Sequence, residues 1–388
     1  MLFSKGPRSF YGPRSEQESA YEYLNRSARP EAEWLRNLLE IWFTRFPEES
    51  REELAKRFRS RDDREHLSAF FELYCYTLLV AQGFKVECHQ GVSNVASRPD
   101  FRVSKEGTHP FFMECTLSTD PCSTRGEQAR LNQLLEYLNK NLKSPEFFVM
   151  LTIFEIGPNS APAARICSFL EQCLKTLDPD TVARDFQKRG PDAFPKVQWC
   201  RKGWRLEFCF VPKQPKARGK EGLRPIGGVM MPTRGCDSRR ALLNALRDKA
   251  TKYGHLPGPY IIAVAASDPT LNDVDVEETL FGSVHVSMDK ATGAAKIRRI
   301  PNGFWHGPKG IQNQRVSGVL IFTNLDPWSV RETTGVLWHN PWASNPLDPS
   351  IWAGPQRVFS IETQSTQLIQ GVSFPAILGI GESSDFTA

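Results

Sequence analysis

Residues 66–118 read HLSAFFELYCYTLLVAQGFKVECHQGVSNVASRPDFRVSKEGTHPFFMECTLS, and the order of elements in this stretch decides the fold. Phe70 to Val80 is almost wholly apolar or aromatic, holds no Gly or Pro, and carries one acid, Glu72. That pattern predicts a mostly buried helix, in which an unpaired carboxylate is costly. After Gly83 comes a short strand, Phe84 to Cys88. A polar, turn-rich segment then leads to Arg98-Pro99-Asp100-Phe101-Arg102-Val103. A turn around Gly107 and Pro110 precedes a further strand, Phe111 to Leu117.

Side chains alternate along strands, so a hairpin of the last two can bring Asp100 and Glu114 side by side on one face. Two close carboxylates repel, and ionising both is unfavourable unless a cation compensates. Mg²⁺ is commonly held by one or two carboxylates together with substrate phosphates. Glu72, pointing up from a helix packed on the sheet, can complete the set. Each acid taken alone is more simply a solvated charge; the three in this order point to metal chemistry.

The stretch resembles the PD-(D/E)xK superfamily of restriction-endonuclease-like nucleases, whose pattern appears as Pro99-Asp100 followed by Glu114-Cys115-Thr116, with the helical Glu72 ahead of it. The resemblance covers about fifty to eighty residues. It implies a mixed central sheet flanked by helices and hydrolysis of nucleic-acid phosphodiesters. It also implies Mg²⁺ or Mn²⁺ held by Asp100, Glu114 and the Cys115 carbonyl, with Glu72 assisting. The lysine that helps to activate water in that superfamily is replaced here by Thr116, a departure that bears on catalysis rather than on the fold.

Glu127 to Leu142 places Leu131, Leu134, Leu135, Leu138 and Leu142 on one face at helical spacing, with Arg130, Gln133, Tyr137 and Lys140 on another. Gln133 to Tyr137 is similar to the Q-x3-Y element of the recombination-type exonuclease branch of the superfamily. A displaced basic residue would then come from Lys140, Arg130 or Lys85. The plainer alternative is an amphipathic helix with a solvated polar face. Arg240, Arg247 and Lys249, on a later helix, can face a polyanion, though Lys249 reads more simply as a surface lysine.

Hydrophobic content of 40% and charged content of 24% are ordinary for a globular chain. The net charge of +5 permits a polyanionic partner without requiring one. Nine cysteines with no CxxC pair, no opening signal peptide and no apolar run of membrane length predict reduced thiols in a cytoplasmic protein without a membrane partner. His339-Asn340 lacks a second histidine at zinc-site spacing, and there is no GxxxxGK[ST] or GxSxG, which disfavours nucleotide-hydrolase and serine-hydrolase chemistry.

Around this core the pattern predicts helices over 16–28 and 30–46, then a third short helix begun by the capping-box form Ser50-x-x-Glu53. Phe147 to Ile156, Trp204 to Val211, Ile226 to Met231 and Pro259 to Ala266 read as strands. Ala161 to Leu177, Pro179 to Lys188 and Ser238 to Tyr253 read as helices. Lys213, Lys216, Arg218, Lys220 and Arg224 crowd an exposed basic loop of the kind that binds phosphate backbones, with Arg130 as a further contact; a solvated linker is the alternative. Beyond Asp268 the signal thins to short strands over 284–288, 316–322 and 357–362, with scattered tryptophans that more simply fill gaps in a loop-rich core than stack on bases. The tail after Gly379 reads as flexible.

The expected architecture is therefore α/β. A helical N-terminal cap (1–62) precedes a restriction-endonuclease-like core (63–270), interrupted by the basic loop at 212–224. A loop-rich C-terminal α/β region (271–388) follows. The expected function is metal-dependent cleavage of nucleic acid, DNA ahead of RNA. Glu72, Asp100, Glu114, Thr116, Gln133 and Lys140 are the candidate catalytic residues. Two other functions stay open: a nuclease-like fold that binds nucleic acid or a protein without cutting, and an unrelated α/β enzyme for a small phosphorylated substrate. Oligomeric state is also open, a homodimer included.

Overall fold

Four helices open the chain in the computed structural model, which describes residues 1–380 apart from 90–97, 120–123, 221, 232–237, 255, 269–270, 289–294 and 334. Helix α1 (Ala20–Arg26) starts with a Ser19–Glu22 capping box. Helix α2 (Pro30–Arg45) has its proline in the first turn, where no amide donor is needed. Helix α3 (Glu48–Phe58) starts after Pro47, so Ser50 lies inside it and the capping box expected there does not form. Helix α4 (Asp63–Ala81) starts where the Asp62 side chain accepts from the Arg64 N–H, and is buried along nearly its whole second half. Gly83 follows it at φ 82°, the left-handed turn that closes many helices.

Strands β1 (Lys85–Cys88), β2 (Phe101–Ser104) and β3 (Phe111–Ser118) come next. They are followed by α5 (Arg125–Asn141), β4 (Phe147–Glu155), α6 (Ala163–Leu174), α7 (Pro179–Arg189), β5 (Lys196–Arg201), β6 (Trp204–Pro212) and β7 (Ile226–Met230). Then come α8 (Ser238–Ala250), β8 (Tyr260–Ala266), α9 (Asp273–Phe281), the hairpin β9 (Val284–Met288) and β10 (Ala295–Arg299), and the short pair β11 (His306–Gly307) and β12 (Gly310–Ile311). The chain finishes with β13 (Gly318–Thr323), β14 (Gly335–His339), β15 (Gln356–Ser360), β16 (Ser365–Ile369) and α10 (Phe374–Ile377).

Two compact units result, one of Met1–Phe10, Ser19–Asp120 and Asp237–Ala388, the other of Tyr11–Glu18 and Pro121–Cys236. This differs from the division expected from sequence in three ways. The N-terminal helices share a core with the sheet rather than forming a separate cap, and residues beyond 271 extend that sheet. The interruption is a whole unit of 121–236, not a basic loop at 212–224.

The first unit is mixed α/β, built on an eight-stranded sheet of order β1-β2-β3-β8-β13-β14-β15-β16. β1, β2 and β3 run antiparallel to one another, and β8 lies parallel to β3 and to β13. Parallel neighbours need a crossover, and α8 supplies it between β3 and β8. The run is thus α4, β1, β2, β3, α8, β8, with the second unit inserted between β3 and α8.

Alternation assigns each strand's side chains to two cores. Ile261, Ala263 and Ala265 of β8 join α2, α3 and α4 on one face, while Tyr260, Ile262, Val264 and Ala266 join α8 and α9 on the other. A strand covered on both faces reads as the continuous apolar run YIIAVAA, and each large side chain so buried contributes about 1.5–3 kcal/mol. Trp305 and Trp338 are fully buried in the second of these cores, as gap-filling tryptophans should be. Among the described residues no helix is long and apolar enough to cross a membrane.

The second unit has a four-stranded sheet of order β5-β6-β4-β7. The leucine face of α5 (Leu131, Leu134, Leu135, Leu138) packs with Phe147, Val149, Leu151 and Ile153 of β4 and with Ile166 and Leu170 of α6. Strand β7 belongs here, paired with β4, and not to the larger sheet. The turn-rich stretch before Arg98 and the tail beyond Gly379 fall largely outside the described residues.

Candidate active site

β2 and β3 pair Phe101 with Met113, Arg102 with Phe112 and Val103 with Phe111. One further step along this register sets Asp100 against Glu114. Phe101, Val103, Phe111 and Met113 all enter the core beneath α4, so alternation turns Asp100 and Glu114 to the other face. The ladder of β2 stops at Phe101, which leaves the flank of β3 beyond Met113 uncovered by it. Asp100 Oδ2 fills that position and accepts the Cys115 N–H at 2.7 Å. The Asp100 carbonyl accepts the His89 N–H at 2.9 Å.

Glu114 is 1% exposed and its two oxygens are engaged. Oε1 accepts from Lys249 Nζ at 2.7 Å and from Lys252 Nζ at 2.6 Å, and Oε2 accepts the Tyr253 hydroxyl. Leu242, Leu246 and Ala250 hold α8 against the sheet, and Lys249 leaves its last turn toward Glu114. Burial disfavours the charge on Lys249, but the Glu114 carboxylate outweighs it and raises its pKa. Burial, then the bond to Glu114, holds the Tyr253 phenol well above its usual range.

Glu72 enters from α4, on the sheet's opposite face. Its Oε2 takes Arg57 Nη2 at 2.6 Å, and Arg57 also donates to Glu53 Oε2 at 2.7 Å. Glu72 Oε1 is buried, without a hydrogen bond among the described residues, 3.5 Å from His89 Nε2. Contact with Glu72 raises the pKa of His89, against the opposing effect of burial.

Glu72, Asp100, Glu114, Cys115, Lys249, Lys252, Arg57 and His89 all line one cavity of about 520 Å³. Asp100 is pushed up to about 7, first by burial and then by the charges of Glu114 and Glu72. Among the described residues no three His, Cys, Asp or Glu side chains are gathered as a ready metal site. Two hard carboxylates, one of them destabilised in its ionised form, nevertheless match the donor set of Mg²⁺, which completes its shell with water and phosphate.

Three of the acids expected from sequence therefore share a cavity. Thr116, two residues beyond Glu114, lies on Glu114's side of β3 by alternation. Gln133, Tyr137, Lys140 and Arg130 belong to the second unit. There Gln133 accepts from Ser160 Oγ at 3.2 Å, and Arg130 Nε donates to the Gly157 carbonyl at 2.8 Å. Lys85 is 76% exposed beside Glu87. The basic loop needs correction as well. Lys213 is 3% exposed, with Nζ donating to the Ser144 carbonyl at 2.8 Å. Arg218 pairs with Asp180 at 2.7 Å and Arg224 with Glu16 at 3.0 Å, which leaves Lys216 and Lys220 as its exposed cations.

Lys249 is not the surface lysine expected, and Lys252, Tyr253, Arg57 and His89 went unnoticed in the sequence. One signal pointed to the lysines: Lys249 closes, and Lys252 closely follows, the helix that leads into the most apolar strand, where a crossover must return beside β3. Compared with known proteins, the chain matches no family model, no curated protein and no solved structure.

Proposed function

We propose that the chain is a metal-dependent nuclease of the restriction-endonuclease-like kind, hydrolysing phosphodiester bonds of nucleic acid, DNA first. The observation that carries this is the convergence of Asp100, Glu114, Glu72, Lys249 and Lys252 on one cavity. The three acids come from α4, from the residue before β2 and from β3, the order read from the sequence, and the two lysines come from the end of α8 and just beyond it. The charge distribution agrees with a polyanionic substrate. Residues 121–236 hold 19 Lys and Arg against 11 Asp and Glu, net +8, in a chain whose total is +5, so the remainder nets −3.

Asp100 and Glu114, with the Cys115 carbonyl, would hold Mg²⁺ or Mn²⁺. Such an ion lowers the pKa of a bound water and offsets charge building on the phosphate. Tyr253 fixes the second oxygen of Glu114 and so its orientation. One of the two ammonium groups suffices to position Glu114, and the other stands ready for a phosphate oxygen in the transition state. Arg57 anchors one oxygen of Glu72 and leaves the other, buried and 3.5 Å from His89 Nε2, to orient a water. Lys249 or Lys252 thereby takes the place of the lysine that Thr116 replaces.

The test is cleavage of single- and double-stranded DNA and RNA with Mg²⁺ or Mn²⁺, by the parent and by Asp100→Ala and Glu114→Ala. Both variants are expected to be inactive; variants that cut as well as the parent would sink the assignment. The full engagement of Glu114 by two lysines and a tyrosine favours a second reading, a nucleic-acid-binding module that does not cut. Binding that survives chelation, with no cleavage of any form, would select it.

A further inference from the structure

A second cavity of about 550 Å³ lies within the first unit, lined by the loop 312–315, by Asn345 and by Tyr253 and Tyr260. Its size falls in the range of roughly 300–1,000 Å³ typical of small-ligand sites. Its described lining holds no carboxylate and one cation, Arg315, among a concentration of amides.

Two of those amides are fixed. Gln312 Nε2 donates to the Gly303 and Phe304 carbonyls at 3.1 and 3.2 Å, and Asn313 Nδ2 donates to the Phe304 carbonyl at 2.7 Å. The other two, on Gln314 and Asn345, make no hydrogen bond through their heads among the described residues, although their backbones are held. The Gln314 carbonyl accepts the Ser344 N–H at 2.8 Å, and the Asn345 carbonyl accepts Ser317 Oγ at 2.5 Å. Gln314 is exposed and Asn345 half-buried, so held backbones present two solvent-facing amide heads at the cavity.

The cavity is joined to the carboxylate site through its tyrosines. Arg315 Nη1 donates to the Tyr253 carbonyl at 3.0 Å, while the Tyr253 hydroxyl bonds Glu114 and the Arg98 carbonyl. The Tyr260 hydroxyl donates to the Lys249 carbonyl at 3.2 Å. An occupant is therefore one residue's breadth from the groups that hold Glu114.

We propose that this cavity receives a nucleobase flanking the scissile phosphate, with Gln314 and Asn345 reading its hydrogen-bonding edge and Arg315 meeting a phosphate. The proposal rests on the nuclease reading above for the identity of the strand. An amide offers one donor and one acceptor, the pair that matches the N6 and N7 edge of adenine. A base can enter a cavity only when it is out of the stack, so the substrate is single-stranded or has an extruded nucleotide.

The experiment uses full-length Asp100→Asn protein without metal, titrated calorimetrically with the four nucleoside 5′-monophosphates and with ribose 5-phosphate. Adenosine monophosphate is expected to bind at least tenfold more tightly than ribose 5-phosphate. Adding Gln314→Ala and Asn345→Ala should erase that margin while circular dichroism stays unchanged. Equal binding of ribose 5-phosphate, a pyrimidine nucleotide binding as tightly as the adenine one, no nucleotide binding, or a margin retained in the triple variant each overturns the proposal. Nucleotide binding with no cleavage by the parent protein defeats the nuclease reading and leaves the base subsite standing. Cleavage without nucleotide preference does the reverse.

Discussion

Lys252 Nζ donates to Glu114 Oε1 at 2.6 Å across 138 residues of sequence. Lys249 reaches the same oxygen at 2.7 Å from about one turn earlier. Two ammonium groups thus reach Glu114 from the last turn of α8 and from just beyond it, after an entire inserted unit.

If those ammonium groups replace the strand lysine, Lys249→Ala with Lys252→Ala should lower kcat/KM for cleavage by about 10²–10³-fold, the usual cost of losing a preorganised charge. Thr116 shares the face of Glu114, so Thr116→Lys in the double variant should restore part of the loss. Steady-state kinetics on a DNA substrate check both. A double variant as active as the parent, or one that Thr116→Lys worsens, argues against a cationic role.

Asp100 contributes to how stability depends on pH. Its folded pKa of about 7 lies above the ordinary carboxylate value. The folded state therefore holds the proton more tightly, and Asp100's contribution to stability is present at low pH and lost as pH rises toward 7. Asp100→Asn, which mimics the neutral form, should raise the Tm of metal-free protein by a few degrees at pH 8 and by little near pH 5. Adding Mg²⁺ or Mn²⁺ at pH 8 should stabilise the parent and not the variant. Thermal scans at the two pH values decide this; an equal shift at both contradicts it.

Arg57 has a structural role as well as a place in the site. Removing its guanidinium in Arg57→Ala strands the buried carboxylate of Glu72, an omission costing about 2–3 kcal/mol for a pair partly open to solvent. Glu72→Gln on top of it should recover most of that loss. Urea denaturation of the two variants measures it, and additive losses would show that the two residues are not coupled.

The basic loop separates into two behaviours. Lys216→Ala with Lys220→Ala should weaken nucleic-acid binding and flatten its dependence on log salt by up to about two. Lys213→Ala should leave that slope alone and instead destabilise the protein by about 1 kcal/mol, through loss of the bond to the Ser144 carbonyl. Binding isotherms at several salt concentrations separate them; a slope change from Lys213→Ala alone would reverse the assignment.

Much of the local structure was legible before any coordinates. The apolar run around Glu72, the leucine spacing of 131–142 and the continuous YIIAVAA each carry their element's period, and each element formed near its expected bounds. Short, mixed segments were not legible. Lys196–Arg201, Gly335–His339 and Ser365–Ile369 are strands because partners flank them, not because their residues insist on it. Ser50 failed as a cap because the helix had already started at Glu48.

By itself the sequence determined the order of helix and strands and which face of β3 Glu114 takes, since both follow from periodicity and alternation within a few residues. Tertiary structure alone decided that 121–236 folds as a unit apart, that β8 lies beside β3, and that Lys249, Lys252 and Tyr253 meet Glu114. The reason is physical. A buried carboxylate takes whichever donors the packing of distant segments brings within 3 Å, and no pattern confined to neighbouring residues encodes that meeting.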